Sequence, residues 1–186
     1  MPVALHIDTR ELKNLHRALD GIVQGVPKAL APAINRALAT GRTTVKREIR
    51  KEYLIKAKDI PLTVHRATFG NLNGSIRVKD GMLDITKFKY RPKGVQRRKN
   101  KKPLFVQVKR SGGGIVQRGF VSGLGPFQRR SAAPRLPIRR ILTIGAPIMA
   151  TQPAVGPAAN KAMGDALAKR LDHEMKRVMA SAGGHT

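Results

Sequence analysis

The side chains able to do chemistry are five histidines (His6, His16, His65, His173 and His185), scattered serines, one triple glycine and a small set of carboxylates. A metal centre needs ligands at set spacings. No His-x-x-x-His or His-Glu-x-x-His occurs here, and no cysteine is present to complete a site. Asp172-His173-Glu174 places three polar groups in a row, but adjacent helical residues point to different faces and cannot converge on one substrate. Ser75, Ser111, Ser122, Ser131 and Ser181 lack the Gly-x-Ser-x-Gly elbow that activates a nucleophile. Gly112-Gly113-Gly114 is followed by a strand-like run instead of the Gly-Lys-Ser/Thr that opens a phosphate-binding helix, so it reads as a hairpin turn. Nuclease or polymerase chemistry would require several carboxylates around Mg²⁺, and the centre of the chain has none. The expectation is a non-enzyme with no cofactor and no metal.

What the chain does carry is charge. It has 37 lysines and arginines against 11 acids, a formal net charge of +26. Between Asp84 and Asp165 there is no acidic residue, while 18 positions are basic. So much like charge repels itself unless a polyanion neutralises it, which implies DNA, RNA or an acidic protein surface in the working state. The densest run, Arg91-Pro-Lys-Gly-Val-Gln-Arg-Arg-Lys-Asn-Lys-Lys-Pro103, is too polar to bury and is expected to be a projecting loop. Arg91, Lys93, Arg97, Arg98, Lys99, Lys101 and Lys102, with Lys109 and Arg110 beyond them, are the candidate contacts to DNA or an acidic partner. Aromatic residues make up only 4%, and Phe105, Phe120 and Phe127 do not form the pattern on which an RNA-recognition sheet stacks bases. Backbone neutralisation remains, a mode that is independent of nucleic-acid sequence and weakens steeply with salt.

The elements that must position these residues follow from periodicity. A length of 186 residues with 41% hydrophobic content fits one domain spanning 1–186, with basic extensions. Asp8 and Glu11 have capping-box spacing ahead of Leu12, Leu15, Leu19 and Ile22, predicting a helix near 9–24. Leu30, Ile34, Leu38, Val45 and Ile49 mark one face of a longer second helix, weakened near Gly41, whose other face is basic. Asp59 with Pro61 predicts a short third helix, so that residues 1–70 form a helical part.

The period then shortens. Ile76 and Val78, then Asp80-Gly81, then Leu83 and Ile85 predict a β-hairpin. Leu104, Val106 and Val108 followed by Ile115 to Val121 predict a second, and Ile138–Ile144 a last strand, giving a β-rich part over 74–144 that carries the basic loop 91–103. Residues 145–157 read as a Pro/Gly arm, and Met163, Leu167, Leu171, Met175 and Val178 as the packed stripe of a C-terminal helix over 158–181. The fold class expected is α+β: N-terminal helices, a small mainly antiparallel sheet with a long basic loop, and a C-terminal helix packed on the sheet. No apolar run reaches the length of a membrane span, and the N-terminus lacks a signal-peptide pattern, so neither membrane insertion nor secretion is expected.

The ordered set Val26-Pro27-Lys28-Ala29-Leu30-Ala31-Pro32-Ala33-Ile34-Asn35-Arg36-Ala37, Gly119-Phe120-Val121, Gln128-Arg129-Arg130, Arg135-Leu136-Pro137-Ile138-Arg139-Arg140 and Ala146-Pro147-Ile148-Met149 resembles the minor tail protein Z family of tailed bacteriophages over most of the chain. Ala132-Ala133-Pro134 departs from the glycine-lysine turn of that pattern. The resemblance implies a structural tail-completion protein at the head-proximal end of a long tail, which makes the tail competent to join the DNA-filled head. It implies a homo-oligomeric ring, often of six, with tail terminator or tube and head connector as partners and the end of the packaged duplex DNA nearby. Under it, Arg129, Arg130, Arg135, Pro137, Ile138, Arg139 and Arg140 lie at a subunit or ring interface. The implied location is the virion's head–tail junction, and the host cytoplasm during assembly. Two alternatives from composition stand beside it: an RNA-bound structural protein of ribosome-associated type, and a sequence-independent DNA-binding protein.

Overall fold

The computed structural model describes residues 2–4, 25–79, 81–96, 101–132 and 136–183. The helix expected over 9–24 lies outside them. The element order is β1 (Pro2–Ala4), α1 (Gly25–Glu52), a one-turn 3-10 helix (Ala57–Asp59), β2 (Leu62–His65), β3 (Ser75–Val78), β4 (Met82–Asp84), a second 3-10 turn (Ile85–Lys87) and β5 (Lys89–Arg91). Then follow β6 (Leu104–Lys109), β7 (Gly112–Val116), β8 (Gly119–Ser122), β9 (Gly125–Arg129), β10 (Ile138–Arg140), β11 (Leu142–Gly145), α2 (Ala146–Ala150) and α3 (Val155–Gly183). All strand pairs among the described residues are antiparallel, and the class is α+β.

The chain divides into two compact units, one comprising 1–46, 62–78 and 150–186, the other 47–61 and 79–149. In the first unit the α1 stripe Leu30, Ile34 and Leu38 is buried together with Met163, Leu167, Leu171 and Val178 of α3. Ile76 of β3 joins this core, with Leu62 and Val64 of β2 packed at its margin. The C-terminal helix therefore packs on a sheet, as its period predicted. Each fully buried leucine or isoleucine contributes about 1.5–3 kcal/mol, so this seam holds the unit together. The sheet order is β1-β3-β2, with Val3 opposite Ile76 and Ile76 opposite Val64.

Gly41 runs through the middle of α1 without interrupting it. A Cβ there would collide with Cγ and Sδ of Met163, so the glycine lets α3 approach closely; that contact compensates for the helix propensity a glycine gives up.

The second unit is built of small sheets: β5-β6-β7, β8-β9-β10 and β4-β11. Ile85, Leu104, Val106, Val121 and Ile141 form its core, with Tyr90, Val108 and Val116 against it.

Several local expectations are corrected. Residues 62–65 form a strand, because Leu62-Thr63-Val64 carries β-branched residues that pair with β3; Asp59 ends a 3-10 turn instead of opening a helix. The runs around Ile76 and Leu83 are not the two arms of one hairpin: β3 pairs with β1 and β2, β4 pairs with β11, and Ile85 belongs to a 3-10 turn. Gly112-Gly113-Gly114 lies in β7, while Arg110 and Ser111 make the turn; Gly113 sits so close to the Val106 carbonyl that no side chain fits. Residues 115–121 span two strands, since β8 leaves β7 to pair with β9. The strand expected over 138–144 splits at buried Ile141 into β10 and β11, in different sheets. The Pro/Gly arm is shorter than expected, because Ala146–Ala150 is helical and α3 already begins at Val155.

Candidate polyanion and subunit interfaces

The basic candidates divide into two kinds according to whether the fold already uses their charge. Arg91 ends β5, which pairs with β6 through Arg91 opposite Phe105, so residues 92–103 connect two adjacent antiparallel strands. Arg91, Lys93, Lys101 and Lys102 are exposed, and none has a carboxylate partner among the described residues. Lys93 Nζ sits 3.6 Å from the centroid of the Tyr90 ring, which steers this cation without neutralising it. Arg97, Arg98 and Lys99 lie outside the described residues.

Lys109 and Arg110 are used structurally. The last carbonyls of a helix have no intrahelical donor, and the strand end of β6 supplies two. The Arg110 backbone N–H donates to the Glu52 carbonyl at 2.7 Å, and Arg110 Nε donates to the Arg50 carbonyl at 2.9 Å. Lys109 Nζ pairs with Glu52 Oε1 at 3.0 Å and lies 5.7 Å from the ring of buried Tyr53. The hydrogen bond to Glu52, and then its charge, raise the Lys109 pKa above 10.5, so this ammonium stays charged through the neutral range.

The interface candidates cluster on β9 and β10. Register places Ile138 opposite Arg129, Arg139 opposite Gln128 and Arg140 opposite Phe127, which is itself opposite Phe120. Residues two apart share a face, so Phe127 and Arg129 lie beside Ile138 and Arg140. Arg129 stands 5.1 Å from the Phe120 ring, and the Phe120 and Phe127 centroids are 6.3 Å apart. Arg139 donates through Nε and Nη2 to Gln128 Oε1 at 3.2 and 2.9 Å, and Arg140 approaches Asp84 at 3.8 Å. Ile138 is 43% exposed, and Leu136 and Leu142 are exposed as well. The face thus combines arginines, half-buried phenylalanines and the open side chain of Ile138. Arg130 and Pro137 are exposed at its rim, joined by the Arg130 N–H donating to the Pro137 carbonyl at 3.3 Å; Arg135 lies outside the described residues.

The sequence reading did not single out a second basic concavity, in the first unit. Arg36, Arg42 and Lys46 of α1 line a groove of about 690 Å³ together with Arg66 and Arg170. Its only signal in the sequence was the basic face opposite the leucine stripe of α1.

Among the described residues no cluster of histidines or acids is placed to hold a metal ion, and no helix is long and apolar enough to cross a membrane.

The family model for prophage minor tail protein Z (GPZ) matches residues 10–181. The chain belongs to that family. No curated protein and no solved structure matches it. Membership in the minor tail protein Z family makes the chain a structural component of a bacteriophage tail, in agreement with the resemblance carried by its Ala33–Ala37 and Arg135–Arg140 segments.

Proposed function

We propose that this minor tail protein completes the tail at its head-proximal end and makes it competent to join the DNA-filled head. In this reading it acts by assembly and not by catalysis. Copies form a closed ring, most simply a hexamer, in which the β9–β10 face meets a neighbouring subunit or ring. The cations from Arg91 to Lys102 contact the end of the packaged DNA or an acidic neck protein.

The observation that carries the reading is the set of exposed cations on the β5–β6 connection, Lys93, Lys101 and Lys102, that have no carboxylate partner among the described residues, in a chain of the minor tail protein Z family. Phosphates would neutralise them without any base being read. The mixed aliphatic and arginine face supports the oligomeric part of the proposal. Cryo-electron microscopy of purified particles tests it. The expected result is a ring of this chain between tail tube and head, with residues 91–102 toward the channel. Density at the distal tip, or absence from the virion, would overturn it.

A further inference from the structure

The groove of the helical unit gathers cations from three separate segments. Asn35, Arg36, Arg42 and Lys46 project into it from α1, Arg66 from the segment after β2, and Arg170 from α3. Glu174, the one acid lining it among the described residues, is buried and bonded to Arg177 at 2.7 Å and Arg170 at 3.3 Å, so its charge is already matched. Arg36, Arg42, Lys46 and Arg66 have no ion-pair partner among the described residues. Their positions are fixed by the fold. Asn35 binds both backbone groups of Ala67, which holds Arg66 at the groove, and α1 holds the other three at helical spacing.

We propose that this groove binds a carboxylate-rich segment of another protein. Four uncompensated cations facing one concavity repel each other, and a run of carboxylates would relieve that repulsion. The pKa of Lys46 is lowered, first by burial and only second by the charge of Arg42.

Three observations select the occupant. Among the described residues no aromatic side chain lines the groove, so bases of a single-stranded nucleic acid would find nothing there to stack on. Pro32, Ala39 and Val64 also line it, and these suit the methylenes of glutamate and small side chains better than a sugar-phosphate backbone. A second copy of this chain is a poor donor, because its 11 acids are scattered in ones and twos along the sequence. The occupant is therefore an acidic stretch of a different protein. This inference is independent of where in the virion the chain resides.

The test uses the full-length protein and two labelled probes, a short peptide of alternating Glu and Ala and a short DNA duplex, followed by fluorescence anisotropy. Arg42→Ala combined with Lys46→Ala should weaken peptide binding by about tenfold or more, whereas Lys161→Ala with Lys169→Ala, exposed on α3 and not lining the groove, should change it by less than about twofold. Circular dichroism establishes that each variant is folded, and Arg66→Gln, outside the helices, provides a second groove variant. Equal loss in groove and control variants would overturn the proposal, as would peptide affinity unchanged in both groove variants. Loss of duplex binding alone in the groove variants would assign the groove to nucleic acid instead.

Discussion

The Asn35 side-chain amide and the backbone of Ala67, 32 residues apart, form a reciprocal pair: Nδ2 donates to the Ala67 carbonyl and the Ala67 N–H donates to Oδ1, both at 2.9 Å. Ala67 is buried, so nothing in the solvent readily replaces either bond. Asn35→Ala leaves a buried donor and a buried acceptor unmatched, at about 1–3 kcal/mol each before relaxation. The expected outcome is a fall of roughly 2–4 kcal/mol in unfolding free energy, read as a lower urea midpoint with an unchanged slope. Asn35→Asp keeps only the acceptor and should fall between Asn35→Ala and the parent.

Gly41 gives a prediction of opposite character, since there the fault would be excess volume. Gly41→Leu must displace Met163, which is fully buried, and Ile76 Cδ1 lies 3.1 Å from the Cβ position. The expected loss is about 1–3 kcal/mol, and the Gly41→Ala/Met163→Ala double variant should cost less than the sum of its two single variants. Thermal denaturation of Gly41→Leu, the two singles and the double measures this.

Glu48 sets an acid limit. Its carboxylate accepts from Lys51 Nζ at 2.6 Å and lies 3.4 Å from Arg47 Nε. The Lys51 hydrogen bond foremost, against the opposing effect of burial, holds its pKa below 4.5. A depressed carboxylate pKa stabilises the folded state fully above the ordinary value, and that contribution disappears as pH falls through the folded value. Stability followed from neutral to acid pH should therefore drop more in the parent than in Glu48→Gln. Parallel curves would show that another group governs the decline.

Under the proposed function the β5–β6 connection serves assembly and not folding. Neutralising Arg97, Arg98, Lys99, Lys101 and Lys102 together should leave the circular dichroism spectrum and melting temperature unchanged while lowering head–tail joining in a complementation assay. Unchanged infectivity would remove these residues from the mechanism. Ile138→Asp on the β9–β10 face should likewise fold normally yet reduce incorporation into tails.

The helical period was legible because it is a local property: the leucine stripe of α1 and the Met163–Val178 stripe of α3 are buried where spacing alone placed them. Strand partners were not. β3 meets residues 2–4 and 62–65, and β4 meets 142–145, so the local Asp80-Gly81 signal was outweighed by pairings distant in sequence. The triple glycine misled for a related reason. Its flexibility suits a turn, but Gly113 is required within β7 by the Val106 carbonyl beside it. At the interfaces, charge was visible in the sequence and its use was not. Only the structure separates Lys101 and Lys102 from Lys109 and Arg110, and only folding gathers Arg36, Arg42, Lys46 and Arg66 into one groove.

The closing of the α1 end by Lys109 and Arg110 has a thermodynamic consequence. Binding to a polyanion releases counterions only from the phosphates that are actually neutralised, about 0.9 in the log–log slope for each phosphate of duplex DNA. A cation already paired with a carboxylate, as Lys109 is with Glu52, contributes little to that exchange. If the proposed contact is to duplex DNA, its salt dependence would therefore count the cations left unpaired, such as Lys101 and Lys102, and not all 37 lysines and arginines.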